Sequence, residues 1–435
     1  MGRRGSHLAA GIFIVAGALA LWTAVAVAQP ASSPPQAEPY DLEIRWVTPR
    51  FFDVNKYKAE SDSPGAIHIP GTNVSLYVGG FAWLDVIADL NKIEDPDQLV
   101  VSSIPVGGGT GHTGSELSAR QSRLFIETDW HWKLAPLWAY VEVDFFDPQN
   151  AVDLHIRHAF GTIGAYRDLH LIAGQTWTAF MDATVLPSQL DYAGPVGLAN
   201  VLQPEVRLVL PFIPYHASPG GGARGLEWIL SIEAPNPQIT LPAGQQGTAF
   251  AWWPDLVTAL RWDHPHGHVL GAAVFRELGV VPATGSNVVT LGYGGNVTAA
   301  LTRFWGKDQL LLSLGGGRGL ARYFAGSQGL NLDAFLQPEG SLVAPTLIGM
   351  MVSYQHFFWR DQLSLTGIYS LLQLLHLGAG TDTTFARAQY AGAVFQYFPN
   401  RRLMLGMEYI FGQRQNRDGQ TAADSRLQTS MQVKF

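Results

Sequence analysis

The sequence contains no cysteine, few lysines and, beyond its first residues, no long apolar run. Its 435 residues include 6 lysines against 22 arginines, and charged residues make up only 14% of the chain. Without cysteine the fold cannot be held by disulfides or bind a metal through thiolates. Without a second stretch of roughly 20 apolar residues, it has no further candidate for a membrane-spanning helix. A large hydrogen-bonded array must therefore hold the fold. The main cation of the chain is arginine, which can bind a carboxylate through two parallel hydrogen bonds.

The one long apolar run covers residues 8–27 and is preceded by Arg3 and Arg4. A basic start, an apolar centre and a small-residue end at Ala28 are typical of a secretory signal peptide, with cleavage expected before Gln29. Loss of the two leader arginines would change the formal net charge from −7 to −9, because the leader has no acidic residue. An exported acidic chain is not a general nucleic-acid binder.

After the leader, apolar residues alternate with polar ones instead of forming runs. Residues 426–435 place Leu, Thr, Met, Val and Phe on one face and Arg, Gln, Ser, Gln and Lys on the other. This period of two is typical of a strand that separates two solvents. Aromatics at 11% and 47 glycines fit strands that face lipid on one side. The fold class predicted is all-β, a transmembrane antiparallel barrel.

About sixteen segments show this alternation, and we expect each to be a barrel strand. They lie near residues 74–90, 116–129, 137–146, 153–163, 169–179, 202–212, 225–234, 254–263, 267–278, 287–299, 308–318, 342–357, 361–372, 384–397, 402–413 and 425–435. The predicted domains are a signal peptide over 1–28, a periplasmic extension over 29–73 and the barrel over 74–435. Short connections alternate with long ones, and the short set should face the periplasm. Residues 235–253 break this pattern, because we expect a short connection there.

Several runs resemble the DcaP-type outer-membrane porins, and they span residues 69–435. They are IPGT at 69–72, VGGF at 78–81, ARQSRL at 119–124, RHAF at 157–160, AGQTW at 173–177, PDLV at 254–257, GRGLARY at 317–323 and GMEY at 406–409. The resemblance implies a passive channel for small anionic organic acids, such as dicarboxylates or aromatic acids. It also implies a homotrimer in the bacterial outer membrane, in contact with its lipid and lipopolysaccharide. No cofactor and no enzymatic activity are implied.

The resemblance further implies that the loop after the fifth strand folds inward and narrows the channel. That loop is residues 180–200, which include Asp182 and Asp191 as candidate pore-lining residues. The other candidates are arginines, because a charged side chain facing the bilayer midplane costs roughly 2 to 4 kcal/mol and is better placed in water. Strand parity assigns four of them to the lumen: Arg123, Arg157, Arg207 and Arg387. Arg276 and Arg322 lie near strand ends, so they belong either to the pore vestibule or to the headgroup rim.

Two interpretations of these arginines remain open. Free arginines would attract and orient carboxylates, whereas arginines paired with lumen acids would be structural and leave a general porin with little preference. The acids on inferred lumen faces are Asp85, Asp89, Glu127, Glu142, Asp144 and Glu233. An outer-membrane hydrolase is a third alternative, but no Ser, His and carboxylate set can be assembled from the sequence.

Two further patterns have structural explanations. Six aromatics near strand ends are expected to form interfacial girdles, with a stacking surface inside the pore as the alternative: Trp138, Tyr140, Tyr354, Tyr369, Tyr397 and Tyr409. His264, His266 and His268 have a spacing that could bind a metal, but they surround a Pro and Gly turn. We therefore predict no metal site.

Overall fold

The computed structural model describes residues 66–91, 93, 95–107, 114–131, 135–146, 154–164, 169–217, 223–283, 285–302, 306–359, 361–375 and 380–435. The predicted signal peptide and most of the predicted extension lie outside these residues. Within the described part of the chain, no helix is long and apolar enough to cross a membrane.

Sixteen long strands of the described residues form one antiparallel barrel. They are β1 Val74–Asp89, β2 Arg123–His131, β3 Pro136–Asp144, β4 His155–Gly164, β5 His170–Trp177, β6 Leu202–Ala217, β7 Ala223–Glu233, β8 Asp255–His264, β9 Gly267–Pro282, β10 Val288–Thr302, β11 Gln309–Arg318, β12 Thr346–Phe358, β13 Leu363–Leu375, β14 Phe385–Asn400, β15 Leu403–Asn416 and β16 Thr421–Lys434. The predicted fold class and strand number are confirmed.

The barrel is closed by pairing of its last strand with its first. β16 runs antiparallel to β1, with Lys434 opposite Phe81 and Arg426 opposite Asp89. Closure satisfies the backbone groups that an open sheet edge would leave unpaired in lipid. One end of the barrel carries the tight connections, such as the turn between His264 and Gly267. We call it the turn end, and the opposite end, with the longer connections, the loop end.

Residues 235–253 lie at the loop end, so the expectation of a short connection there is wrong. The short connection is the preceding one, where Ala217 of β6 pairs with Ala223 of β7. Strand Gly247–Phe250 then continues the wall beside β9. Strand Ile239–Thr240 joins Ala334–Leu336 and Leu342–Val343 in a small separate sheet. The long connection after β7 thus helps to build the structure at the loop end.

The two faces of the wall differ in exposure as the alternation predicts. On β2, Leu124 and Ile126 point outward and are 45% and 47% exposed, whereas Arg123, which precedes them, is buried and points inward. Tyr354, Tyr369 and Tyr409 also point outward, as expected for a girdle. Trp138 and Tyr140 do not, because both are buried on the inward face of β3. For these two residues the girdle assignment is wrong.

Candidate pore constriction

The connection between β5 and β6, residues 178–201, crosses the interior of the barrel. Near its start, Asp182 contacts strands β9 and β10, and near its end the Gly197 amide donates to Ser370 of β13 at 2.8 Å. Between them, the amides of Leu190 and Asp191 donate to the Glu408 carboxylate of β15 at 2.5 and 3.0 Å. The predicted inward fold of this loop, here called the constriction loop, is confirmed.

Asp182 fixes the first part of the constriction loop to the wall. One carboxylate oxygen lies 2.7 Å from His268 Nε2 and accepts from Thr298 at 2.9 Å, while the other lies 3.7 Å from an Arg261 nitrogen. Burial alone would raise the pKa of Asp182, but the charges of His268 and Arg261 and the hydroxyl of Thr184 outweigh it and hold that pKa well below its usual range. Asp182 therefore acts as a charged tether.

Asp191 fixes the tip of the constriction loop on the opposite side. Its carboxylate accepts from Arg426 of β16 at 3.0 Å and from the Leu99 amide at 2.9 Å. The same arginine binds Asp89 of β1 through two hydrogen bonds of 2.7 and 3.0 Å. Asp182 and Asp191, both expected to line the pore, thus have partners that hold the loop in place.

Arg157 lies inside the barrel in a dense ionic cluster. It donates to Glu142 at 2.9 Å, to Asp144 at 3.0 Å and to the Tyr192 hydroxyl at 2.8 Å. Tyr192 belongs to the constriction loop and in turn donates to Asp144 at 2.9 Å. Burial, moderated by the charge of Arg157, raises the pKa of Tyr192 to about 12, so the phenol stays protonated as a donor. Arg157 thus has three polar partners and links the wall to the loop.

A β-bulge decides which way Arg157 points. The pairing of β3 with β4 shifts register between Glu142 and Val143, so that both Arg157 and His158 are buried on the inside. Without the extra residue of a bulge, neighbours on a strand point to opposite faces. Ile156 is 51% exposed, so strict alternation would turn Arg157 inward and His158 outward. The bulge is what allows both residues to face the inside.

Arg123 is the arginine with the fewest partners in this part of the barrel. Its Nη1 lies 3.4 Å from Glu142, and among the described residues its buried Nε has no hydrogen-bond partner. The guanidinium stands 5.5 Å from the centre of the Phe81 ring. Phe125 and Tyr140, whose ring centres are 5.6 Å apart, continue an inward-facing aromatic surface beside it. A cation with spare donors thus borders an apolar wall.

Arg207 also faces the interior and is buried there. It lies 2.7 Å from Glu205 and donates to the carbonyl of Trp177. A cavity of about 30 Å³ separates it from Arg261, Glu227 and Asp182. That space is enough for about one water molecule.

Arg276 and Arg322 lie neither in an open vestibule nor at the rim. Arg276 is buried between Asp255 at 3.2 Å and Asp333 at 3.0 Å. Arg322 lies 3.4 Å from Asp255 and donates to Gln203 at 2.6 Å. Both expected placements are therefore wrong: these arginines anchor the connection after β11, residues 319–345, which folds inward as well.

Arg387 does not face the lumen, contrary to expectation. Ala388, Tyr390, Val394 and Gln396 of β14 are buried on the inward face, so Arg387, out of phase with them, is on the outward face. Phe385 is buried too, but a register shift separates it from Arg387. Its neighbours across the sheet are Gln373 and Gln415. Polar residues occur there because β14 extends to the loop end, above the apolar band. The alternation of polar residues along a strand does not by itself distinguish the polar rim of the barrel from its lumen face.

Several residues of the constriction were missed in the sequence. Glu408, Arg261 and Arg426 hold the constriction loop or its neighbours, and Arg414 donates to the carbonyl of Ser102 in the connection 91–107. Arg426 shares the polar face of the C-terminal strand with Gln428, so its facing could have been predicted. Glu408 lies in the GMEY run at 406–409, but no local signal predicts its role, because it accepts from the backbone amides of Leu190 and Asp191, over 200 residues away, as well as from the Tyr390 hydroxyl.

The fold matches solved outer-membrane channels, although no protein-family model matches the chain and no curated protein matches it. The outer membrane channel DcaP of Acinetobacter baumannii has a TM-score of 0.72 at 18% identity, over 85% of this chain and 100% of that one. The anion-selective porin of Comamonas acidovorans gives 0.53 at 11% identity, over 83% and 100%. OmpF of Salmonella typhi, solved with daunomycin, gives 0.51 at 9% identity, over 85% and 100%. The chain therefore has the sixteen-stranded barrel fold of the outer-membrane porins.

Proposed function

We propose that the protein is an outer-membrane porin of the DcaP type, a non-enzymatic channel through which small hydrophilic solutes diffuse passively. We further propose that it favours solutes bearing carboxylates, either dicarboxylates or aromatic acids. The observation that carries this preference is the placement of Arg123, a guanidinium with spare donors beside an inward aromatic wall. A carboxylate could bind the free edge of the guanidinium while its carbon skeleton lies against Phe81 and Phe125.

The neighbouring arginines have a different part in this proposal. Arg157 and Arg207 already form ion pairs with carboxylates of the barrel wall. They therefore contribute to the electric field in the pore without binding solute directly. Binding at Arg123 alone would be weak enough to allow release, as conduction requires. Arg276, Arg322, Asp182 and Asp191 shape the pore by holding its loops.

The narrowness of the interior supports a selective channel over a general one. The constriction loop crosses the barrel, the connection 91–107 packs on its tip through Leu99, and the connection 319–345 pairs with it where Ala199 bridges Phe324. Three loops thus share the space that an open pore would leave to water.

Single-channel recording in planar bilayers tests the proposal. With succinate or benzoate added, Arg123→Gln should raise the concentration needed for half-block roughly tenfold, because a charge-assisted hydrogen bond contributes about 1.5 kcal/mol. Arg387→Gln removes the same charge from the outward face and should leave block unchanged. If both variants match the wild type, or both change equally, Arg123 is not the carboxylate site.

The runner-up is a general porin without anion preference, and one observation favours it. The carboxylates around Arg157, Arg207 and Arg261 neutralise those arginines, so the net lumen field need not attract anions. Reversal potentials in a salt gradient separate the two functions. A cation-preferring current that succinate does not block would support a general porin and would exclude carboxylates as the preferred solutes.

We also propose that export by the leader delivers the chain to the outer membrane, where it contacts lipid and lipopolysaccharide and assembles as a homotrimer. Extraction from membranes without heating should then give a detergent-resistant oligomer that dissociates on boiling. A monomer before heating would argue against the trimer. Intact mass should place the mature N-terminus at Gln29.

A further inference from the structure

A long apolar groove crosses the outward face of strands β6 to β12. It has a volume of about 960 Å³ and is lined almost entirely by apolar atoms. Its floor consists of Ala273, Gly295 and Gly316, which lie side by side in the register of β9, β10 and β11. Larger side chains such as Leu314 and Ile348 rise beside that floor. The outward face of the wall is therefore indented along this line, whereas larger side chains cover the rest of that face.

Two aromatic rings line the lower end of the groove. Trp228 and Phe212 stack there with ring centres 6.2 Å apart, and the Trp228 indole donates to the Thr258 hydroxyl at 2.8 Å. This hydrogen bond fixes the indole across the groove. Trp228 and Leu260 are mid-strand residues, whereas Thr346 and Ile348 at the other extremity are among the first residues of β12. The groove therefore climbs toward the loop end.

A cation stands at the upper end of the groove. Arg318 is the last residue of β11, beside the lining residues Gly317 and Thr346. It shares the outward face with Leu314 and lies opposite Tyr293, which are 59% and 51% exposed. Among the described residues the guanidinium of Arg318 forms no ion pair, and its buried Nε has no hydrogen-bond partner. The unpaired charge of Arg318 thus lies at the loop-end extremity of the apolar groove.

The length of the groove suits an acyl chain. From Trp228 the register runs across to Leu314 on β11 in four interstrand steps of ~4.8 Å, or about 19 Å, and Arg318 lies four residues farther toward the loop end, about 13 Å along the strand. The two components combine to about 23 Å along the wall, and because this path is oblique to the membrane normal, it fits within a hydrocarbon core about 30 Å thick. An acyl chain whose headgroup lies at Arg318 would therefore end near Trp228.

We propose that this groove binds one lipid of the loop-side leaflet, with an acyl chain on the glycine floor and an anionic phosphate headgroup at Arg318. Arginine suits a phosphate because its fork of donors matches two phosphate oxygens. A second barrel would instead present a convex sheet, which fits a flat face better than a narrow indentation. The inference depends on the membrane position of the barrel and not on the solute that it conducts.

Native mass spectrometry of the detergent-purified full chain tests the site, with phosphatidylglycerol and phosphatidylcholine of identical chains as probes. The wild type should retain phosphatidylglycerol in preference. Arg318→Gln should weaken retention of phosphatidylglycerol about fivefold and that of phosphatidylcholine less, because both lipids have the phosphate but only the first has a net negative headgroup. Arg387→Gln, also an outward arginine near the loop end, should behave as the wild type.

A second variant tests the groove itself. Gly295→Leu should fill the floor and weaken retention of both lipids; a Cβ there meets its nearest atom, the Ala272 carbonyl oxygen, at an ordinary 3.5 Å. Gly367→Leu is the matched control, because it is an exposed glycine on β13 with no atom within 4 Å of its Cβ. Gly271→Leu, equally open, replaces Gly295→Leu if that variant fails to fold.

Two results would overturn the inference. One is an unchanged preference for phosphatidylglycerol in Arg318→Gln. The other is a loss of oligomer in Gly295→Leu without any change in lipid retention, which would assign the groove to a second copy of the chain.

Discussion

Arg426 on the last strand donates to Asp191 of the constriction loop at 3.0 Å while it also binds Asp89 of the first strand. One buried guanidinium therefore connects the seam that closes the barrel with the tip of the loop that narrows it. We therefore expect seam closure and pore width to be coupled through this side chain.

Asp191→Asn should loosen the constriction loop without opening the seam, because Arg426 keeps Asp89 as its partner. We expect a higher and noisier single-channel conductance, and a loss of unfolding free energy of about 1 to 3 kcal/mol. Asp418→Asn at the same end of the barrel is the control, since that carboxylate accepts locally from the exposed Gln420 amide. Equal conductance in the two variants would show that Asp191 does not hold the loop.

Arg157→Gln should destabilise the barrel strongly, because it leaves Glu142 and Asp144 buried without their closest cation. Removing one partner of a buried ion pair costs about 3 to 5 kcal/mol. Urea unfolding of the barrel in lipid vesicles, followed by the gel shift of the unheated protein, measures this loss. Arg123→Gln should cost much less, since Arg123 has a single long contact to Glu142. A reversed order of the two variants would contradict the assignment of structural and solute-binding roles.

The Asp182 tether should persist through mild acid. A carboxylate whose pKa is lowered in the folded state stabilises that state fully above its unfolded pKa of about 3.9, and this stabilisation is lost progressively as the pH falls from about 5 through the folded pKa. Because the pKa of Asp182 lies well below the usual range, its carboxylate in the folded channel stays charged between about pH 8 and pH 4, and the tether stays formed. Asp182→Asn should therefore differ from the wild type in conductance by the same factor at both pH values. A difference that shrinks toward pH 4 would show that the tether titrates earlier.

Ile126 and Glu127 are neighbours in the sequence, and we expect the first to face lipid and the second to face the water of the pore. Ile126 points outward and Glu127 inward, where it is half-buried. The native chain has no cysteine, so single-cysteine variants give a clean signal. In lipid vesicles a charged thiol reagent should modify Glu127→Cys and reduce current, while Ile126→Cys should react only with a membrane-permeant reagent. Modification of both by the charged reagent would contradict the inferred facing of β2.

The strand pattern could be predicted from the sequence because it depends on local chemistry. Each strand separates lipid from the interior, so a period of two marks its extent, and β1 begins at Val74 as expected. The inward loop was also anticipated, through resemblance and loop length. The expectation for 235–253 was wrong although the sequence contains the signal against it: Ser-Pro-Gly-Gly-Gly at 218–222 predicts a turn, so alternation of short and long connections assigns the long one to 235–253.

What the sequence by itself determined is the closed barrel of alternating strands, because the two solvents impose their pattern residue by residue. Only the tertiary structure decided what each arginine does, since that depends on carboxylates brought together from distant strands and loops. Arg157 needed a bulge to turn inward, Arg387 lies on a polar rim that resembles a lumen face, and Arg426 finds Asp89 only when the seam closes. Long-range pairing of this kind follows from barrel closure and leaves no periodic trace along the chain.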